Sequence, residues 1–220
     1  MTFTDSLPEQ KRDLRFFPVS NQVPRLLTPI QIVQFNEQGY ISPLDLFSDE
    51  ETVAQRCYFE KLLSKAAKLG LDSYAINGWH PTCRGLYDLV CHPLLLDYVQ
   101  DIIGPNIIST MTHLFSKNPT DKKSVYWHQD AQFWPLTPSK IVTVWIAIDE
   151  VSETNGAMIL WPTTHRRGII PFQYVTDDED GVLEEHVHYP ERFGPSVRIE
   201  LQAGQFSLHT DMLLHGSLPN

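Results

Sequence analysis

Apolar positions in the first half of the chain recur with the spacing of amphipathic helices, and residues that start or stop helices bound each run. The first helix is predicted over residues 29–38, because Thr28 can serve as an N-cap before a proline and Gly39 provides a stop. Ser48 and Glu51 have the spacing of a capping box, which predicts the start of a second helix.

The second and third helices are bounded in the same way. Apolar residues of the second helix recur at Val53, Cys57, Leu62, Leu63 and Ala66. This helix is expected to end at Gly70. A third helix is predicted to start near Pro93 and to end where Gly104 and Pro105 both prevent continuation.

After residue 106 the apolar period changes from that of a helix to that of a strand. In the stretch IVTVWIAID, one side carries Val142, Val144, Ile146 and Ile148, and the other carries Thr143, Trp145 and Ala147. Short strands continue in AMILWP, VRIEL and GQFSLH, with turns at Asn155-Gly156 and Ala203-Gly204. Helices followed by many short strands predict an α+β fold with helices packed on a β-sandwich or barrel.

The length and the pattern together indicate one domain. A chain of 220 residues can bury a sizeable core, and no repeat, low-complexity tract or obvious linker divides it. We therefore expect a single domain over residues 1–220. In this domain residues 1–105 form a mostly helical support, and residues 106–220 form the β core.

Composition narrows the classes of function. The formal net charge of -10 argues against a nucleic acid or an anionic membrane as partner, since both call for a basic surface. No apolar run is long enough to span a membrane, and the N-terminal region lacks the apolar core of a secretory signal. Cys57, Cys83 and Cys91 are widely spaced without a CxxC pattern, so buried reduced thiols are expected. These features predict a cytoplasmic protein.

The stretch YWHQDAQFW contains the first candidate for a metal site. If it is a strand, His128 and Asp130 project from one face and can bind one ion together. An imidazole and a carboxylate are members of the 2-His-1-carboxylate triad, which suits Fe(II) because it leaves one side of the ion open. His215 is the best candidate for the third ligand, since it ends the apolar stretch DMLLHGS and precedes Gly216, which permits close approach.

Other interpretations remain open at this level. His209 and Asp211 form a rival His-x-Asp pair, although few residues follow it to return a distant third ligand. His186 and His188 form an HxH pair that could bind metal or simply be solvated. The acidic stretch over residues 176–185 is either a solvated insertion or a cover for the mouth of a site. Spacing alone does not decide whether the triad exists.

Longer stretches resemble the phytanoyl-CoA dioxygenase family of Fe(II)- and 2-oxoglutarate-dependent oxygenases. They are YWHQDAQFWPL, VTVWIAIDEVSETNGAMILWPTTH and LLHGSLPN, in the family's order, while LTPIQIVQFNEQGYI and HPLLLDYVQDIIGPNI fit more loosely. The resemblance covers most of the chain and implies a double-stranded β-helix, a jelly-roll or cupin-like barrel with packed N-terminal helices. It also implies that His128, Asp130 and His215 are the iron ligands and catalytic residues.

The resemblance implies roles for residues around these ligands. Those that would line the 2-oxoglutarate site are His113, Gln129, Trp145 and Ser217. Core packing is the alternative for Trp145, and capping of a strand end is the alternative for Ser217. Tyr126 and Trp134 are candidate substrate contacts, since aromatic walls can pack an aliphatic chain or face a cationic amine.

Family members pair the distal carboxylate of 2-oxoglutarate with an arginine beyond the second iron-binding histidine, and arginine is a natural partner for a carboxylate. The sequence ends at Asn220, before that position and before the last barrel strand. We therefore expect the native protein to continue and to supply this arginine. Arg84 and Arg198 are speculative replacements within the sequence.

The implied activity is hydroxylation of a small-molecule substrate, in which 2-oxoglutarate and O2 yield succinate and CO2, with ascorbate as an in vitro reductant. A carboxylate at Asp130 favours hydroxylation, because halogenating relatives have a small residue at this position. Two rival functions remain. One is a metal-binding cupin-type protein without 2-oxoglutarate chemistry, and the other is a non-catalytic small-molecule binder. The sequence indicates neither the substrate nor the oligomeric state.

Overall fold

The computed structural model describes residues 2–74, 76–175 and 180–220. Within them the helices are α1 (Pro29–Gln38), α2 (Asp49–Lys68), α3 (Arg84–Val90) and α4 (Pro93–Ile103). The strands are β1 (Tyr40–Asp45), β2 (Val125–His128), β3 (Val142–Ile146), β4 (Met158–Trp161), β5 (Gln173–Tyr174), β6 (Glu185–His186), β7 (Val197–Arg198), β8 (Gln205–Thr210) and β9 (Leu214–Ser217). Short 3-10 segments lie at Asp130–Gln132, Glu153–Asn155, Thr164–Arg167 and Pro190–Phe193. The predicted mixture of helices and strands is confirmed.

The predicted ends of the first two helices are also confirmed. Thr28 accepts a hydrogen bond from the backbone N–H of Gln31, and Gly39 ends α1 in the left-handed conformation at φ 88°. Ser48 and Glu51 form the expected capping box of α2. Such caps satisfy N–H groups that a helix leaves unpaired, and each contributes about 1 kcal/mol to stability.

The predicted apolar face of α2 is wrong in its first half. Val53 and Cys57 are exposed, whereas the predicted Leu62 and Ala66 are buried together with Phe59. The buried positions lie toward the C-terminal half of α2, where it packs with α3. The expectation of buried thiols is wrong as well, since Cys57 and Cys91 are exposed and Cys83 is half-buried.

The helical half contains a strand that the sequence pattern did not predict. Gly39 turns the chain from α1 directly into β1, which pairs antiparallel with β8. Ile41 and Leu44 of β1 enter the core. A strand this short depends on its distant partner for stability, so its own sequence carries little signal.

The strands form antiparallel sheets. β1, β8 and β3 make a three-stranded sheet with β8 in the centre, and β2, β9, β4 and β7 make a four-stranded sheet in that order. β5 and β6 make a small two-stranded sheet. The β8–β9 turn, from Asp211 to Leu213, carries the chain from the centre of one large sheet to the centre of the other.

Alternation along the strands separates two layers of the core. Val142, Val144 and Ile146 of β3 pack with Leu208 of β8 in a cluster that includes α1 and α4 residues. The opposite face of β3 carries Trp145, which packs with residues of the four-stranded sheet. The two-residue period predicted for this strand is therefore confirmed, and the large sheets share a core.

None of the helices in the described ranges is both long enough and apolar enough to cross a membrane.

Candidate metal centre

Three side chains converge between the two large sheets. One nitrogen each of His128 and His215 and one oxygen of Asp130 all lie within 4.8 Å of one another. His128 ends β2 directly opposite His215 of β9, and the centroids of their rings are 4.2 Å apart. The Nε2 atoms of His128 and His215 lie 3.3 and 3.6 Å from Asp130 Oδ1.

The backbone brings these residues together in a way that differs from the prediction. β2 ends at His128, and Asp130 opens the 3-10 segment that follows, so the two residues are not alternate residues of one strand. The turn is anchored because the N–H of Ala131 donates to the carbonyl of Asp211 over 3.0 Å. His215 is the second residue of β9 rather than the end of a strand, since Asp211 begins a turn.

Backbone carbonyls fix the orientation of both imidazoles. His128 Nδ1 donates to the carbonyl of Tyr126 over 2.6 Å, and His215 Nδ1 donates to the carbonyl of Leu213 over 2.9 Å. A carbonyl can only accept, so Nδ1 carries the proton and the neutral ring presents a lone pair on Nε2. Both Nε2 atoms face Asp130, as metal-binding histidines require.

The electrostatics favour a neutral imidazole at His215 beside an ionised carboxylate at Asp130. Burial, together with neighbouring His128, lowers the pKa of His215 to about 3. Burial acts to raise the pKa of Asp130, but His215, His128 and His209 outweigh it and hold that pKa well below the ordinary value. Two imidazole nitrogens and one carboxylate oxygen thus face one another, an arrangement that a divalent cation would stabilise. The donor set fits Fe(II).

The expected neighbour Ser217 lies on the same face of β9 as His215, two residues further on. Its hydroxyl accepts a hydrogen bond from Lys117 Nζ over 2.7 Å, and Lys117 also donates to the carbonyl of Leu218. Burial lowers the pKa of Lys117 to about 8. Sequence reasoning missed Lys117, because a single lysine in LFSKNP looks like an ordinary surface residue.

Gln129 does not direct its amide to the ligand cluster. Its Nε2 donates to the carbonyls of Gly168 and Met212, and its Oε1 accepts from the N–H of Ile170 over 2.7 Å. The buried side chain therefore joins two loops behind β2.

His113 and Trp145 take different positions. His113 lies in an isolated bridge with Asn77 rather than on a strand, and its ring stacks on Phe115 with centroids 3.9 Å apart. Desolvation lowers the pKa of His113 to about 4 although part of the residue stays exposed, and the charge of Asp130 opposes this shift. Trp145 packs in the core between the two sheets, which agrees with the packing alternative.

Of the two predicted substrate contacts, Tyr126 lies on β2 two residues before His128, where the pairing of β2 with β9 shifts register. Its ring stacks on His186 at 4.6 Å, and His186 lies 4.3 Å from the ring of His188. The HxH pair thus extends an aromatic wall. The acidic stretch next to it includes residues 176–179, which lie outside the described residues, so its role as a cover stays a prediction.

Trp134 lies in the loop after the 3-10 segment. Its indole nitrogen is buried and has no hydrogen-bond partner among the described residues. Phe133, its neighbour in sequence, packs edge-on against the ring of His128 with centroids 5.8 Å apart.

The rival pair lies beside the cluster. The buried Asp211 accepts hydrogen bonds from the hydroxyls of Ser139 and Thr210, and burial raises its pKa to about 6. His209 Nε2 lies 3.6 Å from Asp130 Oδ2, whereas His128 is paired with the other oxygen, Oδ1.

The speculative arginines lie elsewhere. Arg84 is paired with Asp88 on the exposed side of α3, and Arg198 is paired with Glu153 at the edge strand β7. Each guanidinium is therefore already engaged by a carboxylate of its own.

Comparison with known sequences gives a family match. The model of the phytanoyl-CoA dioxygenase (PhyH) family matches residues 35–220. The peroxisomal phytanoyl-CoA dioxygenase of Homo sapiens is 27% identical over 220 residues, covering 89% of this chain and 64% of the human protein. That of Rattus norvegicus is 26% identical over 208 residues, covering 83% and 61%. The chain spans less than two thirds of the length of these relatives.

Solved structures share the fold. EctD from S. alaskensis, solved with 2-oxoglutarate and 5-hydroxyectoine, superposes with a TM-score of 0.78 at 20% identity and covers 96% of this chain and 78% of its own. The apo form of ThoJ, a non-heme monooxygenase, gives a TM-score of 0.69 at 24% identity and covers 86% and 70%. At these identities the likeness concerns the arrangement of helices and antiparallel sheets.

Proposed function

The chain belongs to the phytanoyl-CoA dioxygenase family, and from this premise we propose that it is an Fe(II)- and 2-oxoglutarate-dependent oxygenase that hydroxylates a small molecule. His128, Asp130 and His215 would hold the iron. The observation that carries the proposal is the convergence of the Nε2 atoms of His128 and His215 on Asp130 Oδ1, at 3.3 and 3.6 Å. Two imidazoles and one carboxylate oxygen are a donor set suited to Fe(II).

The protonation state of His215 and the charge of Asp130 already suit cation binding. Burial keeps His215 unprotonated, so no proton has to leave its Nε2 when metal binds near neutral pH. Asp130 supplies the single negative charge. Bound Fe(II), with 2-oxoglutarate and O2, supplies the oxidising chemistry that converts a substrate C–H bond into C–OH and yields succinate and CO2.

Lys117 and Ser217 are the residues we assign to the distal carboxylate of 2-oxoglutarate. An ammonium group and a hydroxyl 2.7 Å apart, next to His215 along β9, offer the charge and the hydrogen bonds that a carboxylate needs. His113 and Trp145 remain proposed neighbours of the co-substrate. Gln129 would act indirectly, by fixing the loops behind β2.

The proposed substrate side is the aromatic wall around Tyr126. The rings of Tyr126 and His186 stack on each other, and Tyr126 lies on β2 two residues before His128. A stacked wall of this kind suits a small organic molecule with an aliphatic or cationic portion. Trp134 stays a proposed substrate contact on sequence grounds alone.

We also propose the finer description of the fold. The three- and four-stranded sheets would be the two faces of a double-stranded β-helix, supported by their shared core and by the likeness to EctD. Residues 1–220 would form one oxygenase domain, with 1–105 as helical support and 106–220 as the β core. β1 is an exception, because it belongs to the first part and pairs in the barrel sheet.

The test is turnover of the co-substrate. The purified chain is incubated with Fe(II), ascorbate, 2-oxoglutarate and O2, and succinate is measured with and without a panel of small molecules. We expect slow succinate formation alone and faster formation with a substrate, both lost in Asp130→Ala. Metal binding without any 2-oxoglutarate consumption would instead favour the cupin-type function. A chain that neither binds metal nor consumes 2-oxoglutarate would favour a non-catalytic binder.

A further inference from the structure

The two oxygens of the Asp130 carboxylate have different surroundings. Oδ1 faces the Nε2 atoms of His128 and His215, at 3.3 and 3.6 Å. Oδ2 accepts a hydrogen bond from Thr143 Oγ1 over 2.8 Å and lies 3.6 Å from His209 Nε2. One oxygen is therefore turned toward the ligand cluster, and the other is turned toward β3 and β8.

Thr143 and His209 reach Oδ2 from neighbouring strands. They are directly opposite each other in the antiparallel pairing of β3 with β8, so their side chains project side by side from one face of the sheet. β8 is the central strand and pairs with β1 on its other side, where Tyr40 is opposite His209. The sheet therefore holds both side chains in fixed positions.

His209 is a buried histidine, 1% exposed, whose ring nitrogens lack hydrogen-bond partners among the described residues. A buried polar group without a partner is costly, which indicates that its N–H has an acceptor in the working protein. Asp130 Oδ2 is within 3.6 Å, so a small approach of the two groups completes the bond.

His209 is poorly placed to be a metal ligand itself. The group of convergent donors found among the described residues contains His128, Asp130 and His215, without His209. Its ring lies 4.7 Å from that of His215, but its Nε2 is paired with Asp130 Oδ2 and not with Oδ1, the oxygen that faces His128 and His215. The ring therefore acts on the carboxylate, and through it on the cation.

We propose that Thr143 and His209 form a clamp on Asp130 Oδ2, so that Asp130 gives a metal ion only its Oδ1. The inference rests on the proposed metal-binding function and adds positioning residues to it. A carboxylate can bind a cation through one or both oxygens, and a carboxylate without the clamp would be free to rotate and offer both. The second oxygen would then occupy a position that the co-substrate or O2 needs.

The test uses Co(II) as a probe of affinity and geometry. Thr143→Val removes the hydroxyl at nearly constant shape, and His209→Leu removes the imidazole. Thr143→Ser and His209→Gln keep a hydrogen-bond donor. Ser207→Ala is the matched control, since Ser207 is buried on the same face of β8, two residues from His209, with a hydroxyl that lacks a partner among the described residues.

We expect Thr143→Val and His209→Leu each to weaken Co(II) binding about tenfold or more, a usual effect of losing an outer partner of a metal ligand. Both should also change the visible absorption of bound Co(II). Thr143→Ser and His209→Gln should restore both properties in part, and Ser207→Ala should match the parent chain. Circular dichroism verifies that each variant is folded, and Thr143→Val decides the question if His209→Leu does not fold.

The possible failures can be told apart. If the parent chain itself does not bind Co(II), the proposed metal site fails and the clamp fails with it. If the parent binds Co(II) and folded Thr143→Val has the parent's affinity and spectrum, the clamp alone is refuted. Equal losses in Ser207→Ala would also refute it, because the effect would then be a general one of the strand.

Discussion

Replacing Lys117 with methionine isolates the contribution of one ammonium group to co-substrate binding. The change keeps a flexible apolar stem and removes the charge that lies 2.7 Å from Ser217 Oγ. A hydrogen bond to a charged group contributes about 1.5–3 kcal/mol, which corresponds to a roughly 10- to 150-fold weaker affinity for 2-oxoglutarate. Metal affinity should stay near that of the parent chain, because Lys117 donates hydrogen bonds to Ser217 and Leu218 and not to a proposed iron ligand.

The assay is calorimetric titration of the metal-loaded chain with 2-oxoglutarate in the absence of O2, which measures binding without turnover. Lys123→Met is the control, since Lys123 is close in sequence but pairs with Asp72 at 2.7 Å. Its affinity for 2-oxoglutarate should equal that of the parent. A folded Lys117→Met variant with undiminished affinity would refute the assignment of this lysine.

Three further outcomes are expected. Asp130→Ala should abolish hydroxylation and weaken Fe(II) binding in a metal titration, whereas Asp211→Ala should leave Fe(II) affinity nearly unchanged; the reverse would mean that the other His-x-Asp pair is the site. Burial lowers the pKa of Lys117 to about 8, so this residue is cationic below that pH and neutral above it. The affinity for 2-oxoglutarate should therefore fall as the pH rises through 8, and Lys117→Met should lose this dependence. Asp101→Ala should lower the free energy of unfolding, measured by urea denaturation, by about 3 kcal/mol. The reason is that the buried carboxylate accepts hydrogen bonds from the N–H groups of residues 25–27. A change below about 1 kcal/mol, roughly that of an ordinary surface mutation, would contradict this.

The convergence of His128, Asp130 and His215 could be predicted from the sequence, although the local geometry could not. His128 and Asp130 were paired on the assumption of a continuous strand, but a 3-10 turn begins at Asp130. The turn is held by a backbone hydrogen bond from the N–H of Ala131 to the carbonyl of Asp211, which lies 80 residues later in the sequence. A contact that remote leaves no periodic signal, so the residue types were predictable and their arrangement was not.

Helix ends were predictable for a local reason. Thr28 and Gly39 act within a few residues of the backbone groups that they satisfy, so the sequence itself contains both partners. β1 shows the opposite case, because its partner β8 lies far along the chain. Lys117 and His209 could not be predicted for the same reason as β1. Their partners, Ser217 and Asp130, are distant in sequence and are brought to them only by the fold.

The most direct test of the metal centre is a crystal structure of the chain grown anaerobically with Fe(II), with anomalous scattering measured at the iron absorption edge. The account predicts one strong peak about 2.0–2.3 Å from His128 Nε2, His215 Nε2 and Asp130 Oδ1. Asp130 Oδ2 should remain within hydrogen-bond distance of Thr143. A peak at another group of residues, or no peak at iron concentrations that saturate succinate formation, would contradict the account.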